Sequence, residues 1–132
     1  MRVKNFELKT GAEIFKAFSD ESRIRIMHLI FRNEEMCISD LELILDFTQT
    51  KTSRHLIYLK NSRLLKPQKS DQWVYYRINE AYLDIITQIF AFLEKDPILL
   101  KDLEEYRTLY SNNELAIRKK HNMLKIYKLP AL

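Results

Sequence analysis

From residue 48 to residue 65 the chain alternates apolar and polar side chains with a helical period. Thr52, Leu56 and Leu59 lie one turn apart and face inward, with Ile57 and Leu64 expected to flank that stripe. Thr48 suits an N-cap, since its hydroxyl can satisfy an orphan N–H of the first turn. The opposite face carries Gln49, Thr50, Lys51, Ser53, Arg54 and Tyr58, and no carboxylate occurs between Asp46 and Asp71. A short helix over residues 39–45 precedes this stretch, and Asp46-Phe47 is a compact turn between the two. Residues 65–69 and 73–78 follow as two strands around Ser70-Asp71-Gln72, the second rich in β-branched and aromatic residues.

The rest of the pattern is helical. Leu8, Ala12, Phe15 and Phe18 mark a first helix, and Asp20 caps a second over residues 21–31 with Ile24, Met27, Leu29, Ile30 and Phe31. Met36-Cys37-Ile38 is extended, and Ser39 is the expected N-cap of the helix after it. Asn79 caps a helix over residues 80–95 that is apolar nearly all round. Such a helix is buried on more than one side, and in so short a chain the second side is another copy of the same chain. Tyr82, Ile86, Ile89, Phe90 and Leu93 are the expected dimer interface. Asp96-Pro97 opens a helix carrying Leu99, Leu103, Tyr106 and Tyr110. Ser111 and Glu114 have capping-box spacing for a last helix with Leu115, Met123, Leu124 and Tyr127. The reading is mainly α with a small β-hairpin. Residues 1–95 form the binding and dimerisation domain, and residues 96–132 form a C-terminal helical extension packed on it.

A length of 132 residues with 46% hydrophobic content fits one globular domain. No apolar run approaches the ~20 residues of a membrane span. No secretory leader follows the N-terminal charges, and one cysteine suits a reducing compartment, so a cytoplasmic protein without membrane partners is expected. Charge is unevenly placed. Residues 46–78 hold seven basic and two acidic groups, net +5, and residues 114–132 hold five and one, net +4. Residues 79–113 hold three and seven, net −4. That distribution is the footprint of a polyanion binder.

Four blocks in order resemble the ArsR/SmtB winged-helix repressors: residues 18–26, residues 35–41, residues 48–59 with Ser53-Arg54-His55-Leu56, and residues 73–78. The resemblance implies a winged helix-turn-helix fold and a homodimeric transcriptional repressor that leaves its operator when an inducer, often a metal ion or metalloid, binds. Several departures matter. Where soft-metal sensors of the family carry a thiol pair, this chain reads Cys37-Ile38-Ser39, and Ser39 is a poor soft-metal ligand. Where zinc sensors carry an acid–histidine pair, it has Asp84 and Ile86. No metal site and no cofactor is therefore expected, and the inducer stays open. Cys37 is read as a small buried apolar residue, with redox or sensing chemistry as the other reading. His28 is read as a buried, hydrogen-bonded histidine. Asp46 stands at the family's usual glycine and Ser62-Arg63 at its usual Ala-Gly, and a wing without glycine is either tight, since Asp tolerates positive φ, or longer and more open than usual.

Amides, hydroxyls and cations near a helix N-terminus are the groups that read and hold a DNA major groove. Arg54 and Gln49 are the candidates for base edges. Thr48, Thr50, Lys51 and Ser53 are candidates for phosphates, and Lys69, Gln72 and Arg77 for wing contacts. His55 is assigned to positioning or a phosphate. Two such helices in a dimer would enter major grooves about 34 Å apart, which requires an inverted-repeat operator. The competing reading is a protein-interaction module that keeps this fold without DNA binding. No nucleophile–base constellation or phosphate-cradling loop is present to suggest an enzyme.

Overall fold

The computed structural model describes residues 4–126. Helices α1 (Leu8–Ala17) and α2 (Glu21–Asn33) lead into a short strand β1 (Glu35–Cys37), followed by α3 (Ile38–Leu45) and α4 (Gln49–Asn61). Strands β2 (Leu65–Ser70) and β3 (Trp73–Ile78) form a hairpin, and β1 adds to its far side to give the antiparallel order β1-β3-β2. A turn of 3-10 helix (Glu80–Tyr82) precedes α5 (Leu83–Ala91), and α6 (Pro97–Ser111) and α7 (Ala116–Ile126) close the described chain. This is the mainly α, winged helix-turn-helix architecture that the pattern predicts. Tyr127 and Lys128, assigned to the last helix from sequence, lie outside the described residues, as does the side chain of Lys125.

The turns work without glycine. Asp46, Arg63 and Asp71 adopt positive φ of 56°, 66° and 55°. Asp46 and Arg63 stand at the positions where the resembled family carries glycine, so the backbone keeps its left-handed turns and L-residues bear the strain. Because Asp tolerates that region, Ser70 pairs directly with Trp73 across Asp71-Gln72. The wing is thus the tight hairpin of the two forms the sequence allows.

Local caps set most helix starts. Asp20 accepts from the Arg23 N–H at 3.0 Å, Thr48 from Lys51 at 3.1 Å, and Asp96 from Ile98 at 2.8 Å. Two expected caps are corrected. Helix α3 begins one residue earlier, with Cys37 at the N-cap and no side-chain cap, so Ser39 lies inside the first turn. Ser111 ends α6 and does not cap α7. The N-terminus of α7 is held from far away in sequence. The buried carboxylate of Asp40, on α3, accepts from the Ala116 N–H at 2.7 Å and the Ile117 N–H at 3.0 Å. A second long-range carboxylate, Asp102 on α6, accepts two hydrogen bonds of 2.9 Å from the Arg25 guanidinium on α2.

Helix α5 stops at Ala91, four residues short of the expected end, and its faces are divided. Ile86 and Phe90 belong to the chain's own core. The Phe90 ring meets Phe18 at 5.9 Å, His28 at 5.1 Å and Phe31 at 5.2 Å. Tyr82 stacks on Phe6 at 5.3 Å, which ties the segment before α1 to the turn before α5. Ile86 and Phe90 are therefore corrected from interface to core, while Ile89 and Leu93 are half-buried. The uncovered apolar side chains here are Leu8 and Phe15 (80% exposed) on α1, Leu83 on α5, and Phe92 (76% exposed) just after α5.

Removing the Asp40 carboxylate leaves two buried N–H groups at the start of α7 without a partner. Asp40→Ala should cost roughly 2 kcal/mol. Urea unfolding with hydrogen exchange checks this. The midpoint should fall and the α7 amides should lose protection before those of α4. Unchanged α7 protection would show that α7 does not depend on Asp40.

Candidate nucleic-acid interface

Helix α4 is the centre of the site. Thr52, Leu56 and Leu59 are buried in the core. The Thr52 hydroxyl donates to the Thr48 carbonyl at 2.8 Å, so a polar side chain is accommodated inside without an unmet donor. Gln49, Thr50 and Arg54 are exposed on the outer side, with Lys51 and Ser53 partly covered. Thr48 accepts through its hydroxyl oxygen in the cap, which leaves the hydroxyl proton to donate outward. The Lys51 ammonium sits 4.0 Å from the centre of the Phe47 ring, in the turn, and the Arg25 guanidinium lies 5.3 Å from the same ring. Tyr58 is engaged by the Arg23 guanidinium at 4.2 Å and belongs to the α2–α4 contact more than to the outer face.

Two α4 residues differ from expectation. Ile57 does not flank the inner stripe; it is 52% exposed and stands among the outward polar residues. His55, a candidate for a phosphate, is only 6% exposed. Burial lowers its pKa, and the nearby cations of Arg54, Arg23 and Lys51 lower it further against the opposing pull of Asp20. Its burial and its lowered pKa both favour packing in α4 over a cationic phosphate contact.

On the wing, Lys69 and Gln72 are exposed at the tip. Arg77 is at the other end of the hairpin, paired in register with Lys66 and Glu35, and its guanidinium donates to Gln68 at 3.3 Å. Register also puts Lys69 and Arg77 on opposite faces of the sheet, because their pairs Lys69–Val74 and Lys66–Arg77 are three steps apart. The structure groups Lys69 with Gln72 and separates Arg77 from them.

Cys37 is buried opposite Tyr75, with its sulfur 3.3 Å from the Ser39 hydroxyl oxygen. Burial raises the thiol pKa, and the neighbouring Asp40 adds to it, so the reactive thiolate is disfavoured. This burial favours the packing reading of Cys37 over the redox and sensing one. His28 is buried as expected, but its Nδ1 has no hydrogen-bond partner among the described residues. His121 is bonded to the Tyr110 hydroxyl at 2.7 Å. Among the described residues no three His, Cys, Asp or Glu side chains stand together where they could hold a metal ion, and no helix is long and apolar enough to cross a membrane.

Known proteins share this arrangement. The family model described as bacterial regulatory protein, arsR family, matches residues 20–66, from the cap of α2 through α4 to the start of the wing. The arsenic resistance transcriptional regulator ArsR1 of Pseudomonas putida is 38% identical over 73 residues, 55% of this chain and 57% of that protein. The arsenical resistance operon repressor of Bacillus subtilis is 35% identical over 78 residues, 59% of this chain and 74% of that protein. The match thus spans a little over half the length of the Pseudomonas relative. Among solved structures, HlyU from Vibrio cholerae superposes with a TM-score of 0.59 at 22% identity, covering 64% of this chain and 91% of that one. The homodimeric winged helix-turn-helix DNA-binding domain Mb0332 from Mycobacterium bovis gives 0.56 at 23% identity, covering 66% and 77%. With the helix-turn-helix, the wing and the Ser53-Arg54-His55-Leu56 block in place, the chain belongs to the ArsR family of bacterial regulatory proteins.

Proposed function

We propose that this protein is a transcriptional repressor that binds an inverted-repeat DNA operator as a homodimer in the cytoplasm. The observation that carries the reading is the outer face of α4. It combines Gln49, Thr50, Ser53 and Arg54 on a capped helix, no carboxylate, and a tight hairpin with Lys69 and Gln72 at its tip beside it. Cations and helix N–H groups attract phosphates, and amide and guanidinium groups discriminate base edges. Arg54 and Gln49 are the base readers. Thr48, Thr50, Lys51 and Ser53 hold phosphates, and the wing tip adds backbone contacts. The regulatory role carried by the names of the relatives supports the same reading.

The apolar side chains left uncovered on α1 and α5 fit a twofold interface. Large exposed apolar side chains on a small domain fit an association site. The homodimeric Mb0332 domain is a neighbour of the same fold. For induction, we infer that release does not pass through the thiol pair or the acid–histidine pair that family metal sensors use. Ser39 and Ile86 occupy the decisive positions, and Ile86 is packed in the core.

The DNA reading is tested by enriching sequences from a random pool with the purified protein and measuring affinity against salt. Arg54→Ala should lose roughly 1–3 kcal/mol on the enriched site and relax its preference at one position per half-site. Lys51→Ala should weaken enriched and random DNA alike and reduce the salt slope by about one unit per protomer. Wild-type protein that enriches nothing would sink the proposal.

For the interface, Phe15→Glu should yield a folded monomer with weakened operator binding, whereas Ile86→Glu should unfold the chain by burying an unpaired charge. Sedimentation and circular dichroism separate the two. A dimeric Phe15→Glu variant would move the interface elsewhere.

For Cys37, a thiol reagent at neutral pH should label native protein slowly and react fully only in denaturant, and mild oxidant should leave operator binding intact. Oxidant-driven release that Cys37→Ser abolishes would restore the sensing role.

A further inference from the structure

Ile57 is an isoleucine where the recognition helix has no structural use for one. It is half exposed, while the core face of α4 is already filled by Thr52, Leu56 and Leu59. At 100° per residue, Ile57 lies within about 20° of Thr50 and about 60° of Ser53 and Arg54 around the helix axis. It therefore shares their azimuth, and it is the apolar member of that stripe. Tyr58 beside it is occupied by Arg23, so Ile57 has no aromatic cover from that side.

On a DNA-reading face an apolar side chain has one kind of partner. The major-groove edges offer hydrogen-bond donors and acceptors everywhere except at the C5-methyl group of thymine. We propose that Ile57 is a specificity-determining residue that packs on a thymine methyl in each half-site of the operator. The inference rests on the DNA-binding reading above and adds a base preference to it. Ile57 is three residues beyond Arg54, about 4.5 Å along the helix axis, a little more than one base-pair step. The thymine it touches accordingly lies within two base pairs of the position that Arg54 reads. The chemistry is contact only: removing the methyl should weaken binding without altering salt dependence, because no phosphate is involved.

The test replaces each thymine of the enriched site in turn by deoxyuridine, which deletes the C5-methyl and keeps the pairing. One position per half-site should weaken wild-type binding about fourfold, the worth of one buried methyl group. The same replacement should have no effect on Ile57→Ala, which should itself bind the unmodified site less well and tolerate other bases at that position. Arg54→Ala should keep the deoxyuridine effect. Wild-type binding that ignores deoxyuridine at every thymine would overturn the inference while leaving the repressor reading standing. A deoxyuridine effect that persists in Ile57→Ala would assign the methyl to another residue and also overturn it. Failure of wild-type protein to enrich any sequence would remove the DNA-binding reading and this inference together. The wild-type arm needs no variant to fold, and Ile57→Thr, which keeps the branched shape, supports the alanine result.

Discussion

The side chains that α4 buries decide which ones it presents. Thr52, Leu56 and Leu59 lock one face of a thirteen-residue helix into the core. A rotation of one residue would expose Leu56 and bury Arg54, so the packing of a few apolar groups fixes the azimuth of every polar reader. Two further contacts tighten that setting. The Thr52 hydroxyl is bonded to the Thr48 carbonyl, and Arg23 covers Tyr58. They tie α4 to its own first turn and to α2. Preorganisation of this kind is what a groove-reading helix needs, since side-chain ordering opposes binding.

The C-terminal extension is fastened to the same framework by two buried carboxylates. Asp40 meets two N–H groups at the positive end of α7, and Asp102 meets a bidentate guanidinium. Both carboxylates are fully compensated, which is the condition for burying a charge at tolerable cost. Leu103, Leu115 and Ile117 then join the common core. The link reaches the helix-turn-helix itself. Arg25, held by Asp102, lies over Phe47, and Lys51 of α4 lies over the same ring. Cations from α2 and α4 thus share the Phe47 ring in the turn of the helix-turn-helix.

What could be read from sequence was local. Asp20, Thr48, Asn79 and Asp96 each cap a helix within three residues of themselves, and the hairpin pattern is self-contained. The cap of α7 could not be read, because its donor set and its acceptor are separated by 76 residues. The nearby Ser111 and Glu114 offered a local solution that the fold does not use. Helix α5 misled for a different reason. Apolar residues all round say that two faces are covered, and not which face meets which neighbour, so the pattern cannot tell that Ile86 and Phe90 fill the core. The hydrophobicity of Ile57 points to the inner stripe, while its spacing from Thr50 and Arg54 carries the opposite signal. Asp46 and Arg63 show the reverse case, in which topology demanded left-handed turns and obtained them without glycine.

Charge counted along the chain overstates what α7 offers to a polyanion. Lys120 is paired with Glu35 and lies over Tyr75, and Arg118 lies over Tyr110. Those cations are used to seat α7 on β1 and α6, which leaves Lys119 as the exposed one among the described residues of that helix. The positive charge of α4 and the wing is used differently, since Arg54 and Lys69 are exposed and make no ion pair among the described residues. Arg118 and Lys120 hold an added helix in place, while Arg54 and Lys69 face outward where a phosphate backbone can meet them. Charge placement, and not its sum, separates a structural basic segment from a binding one.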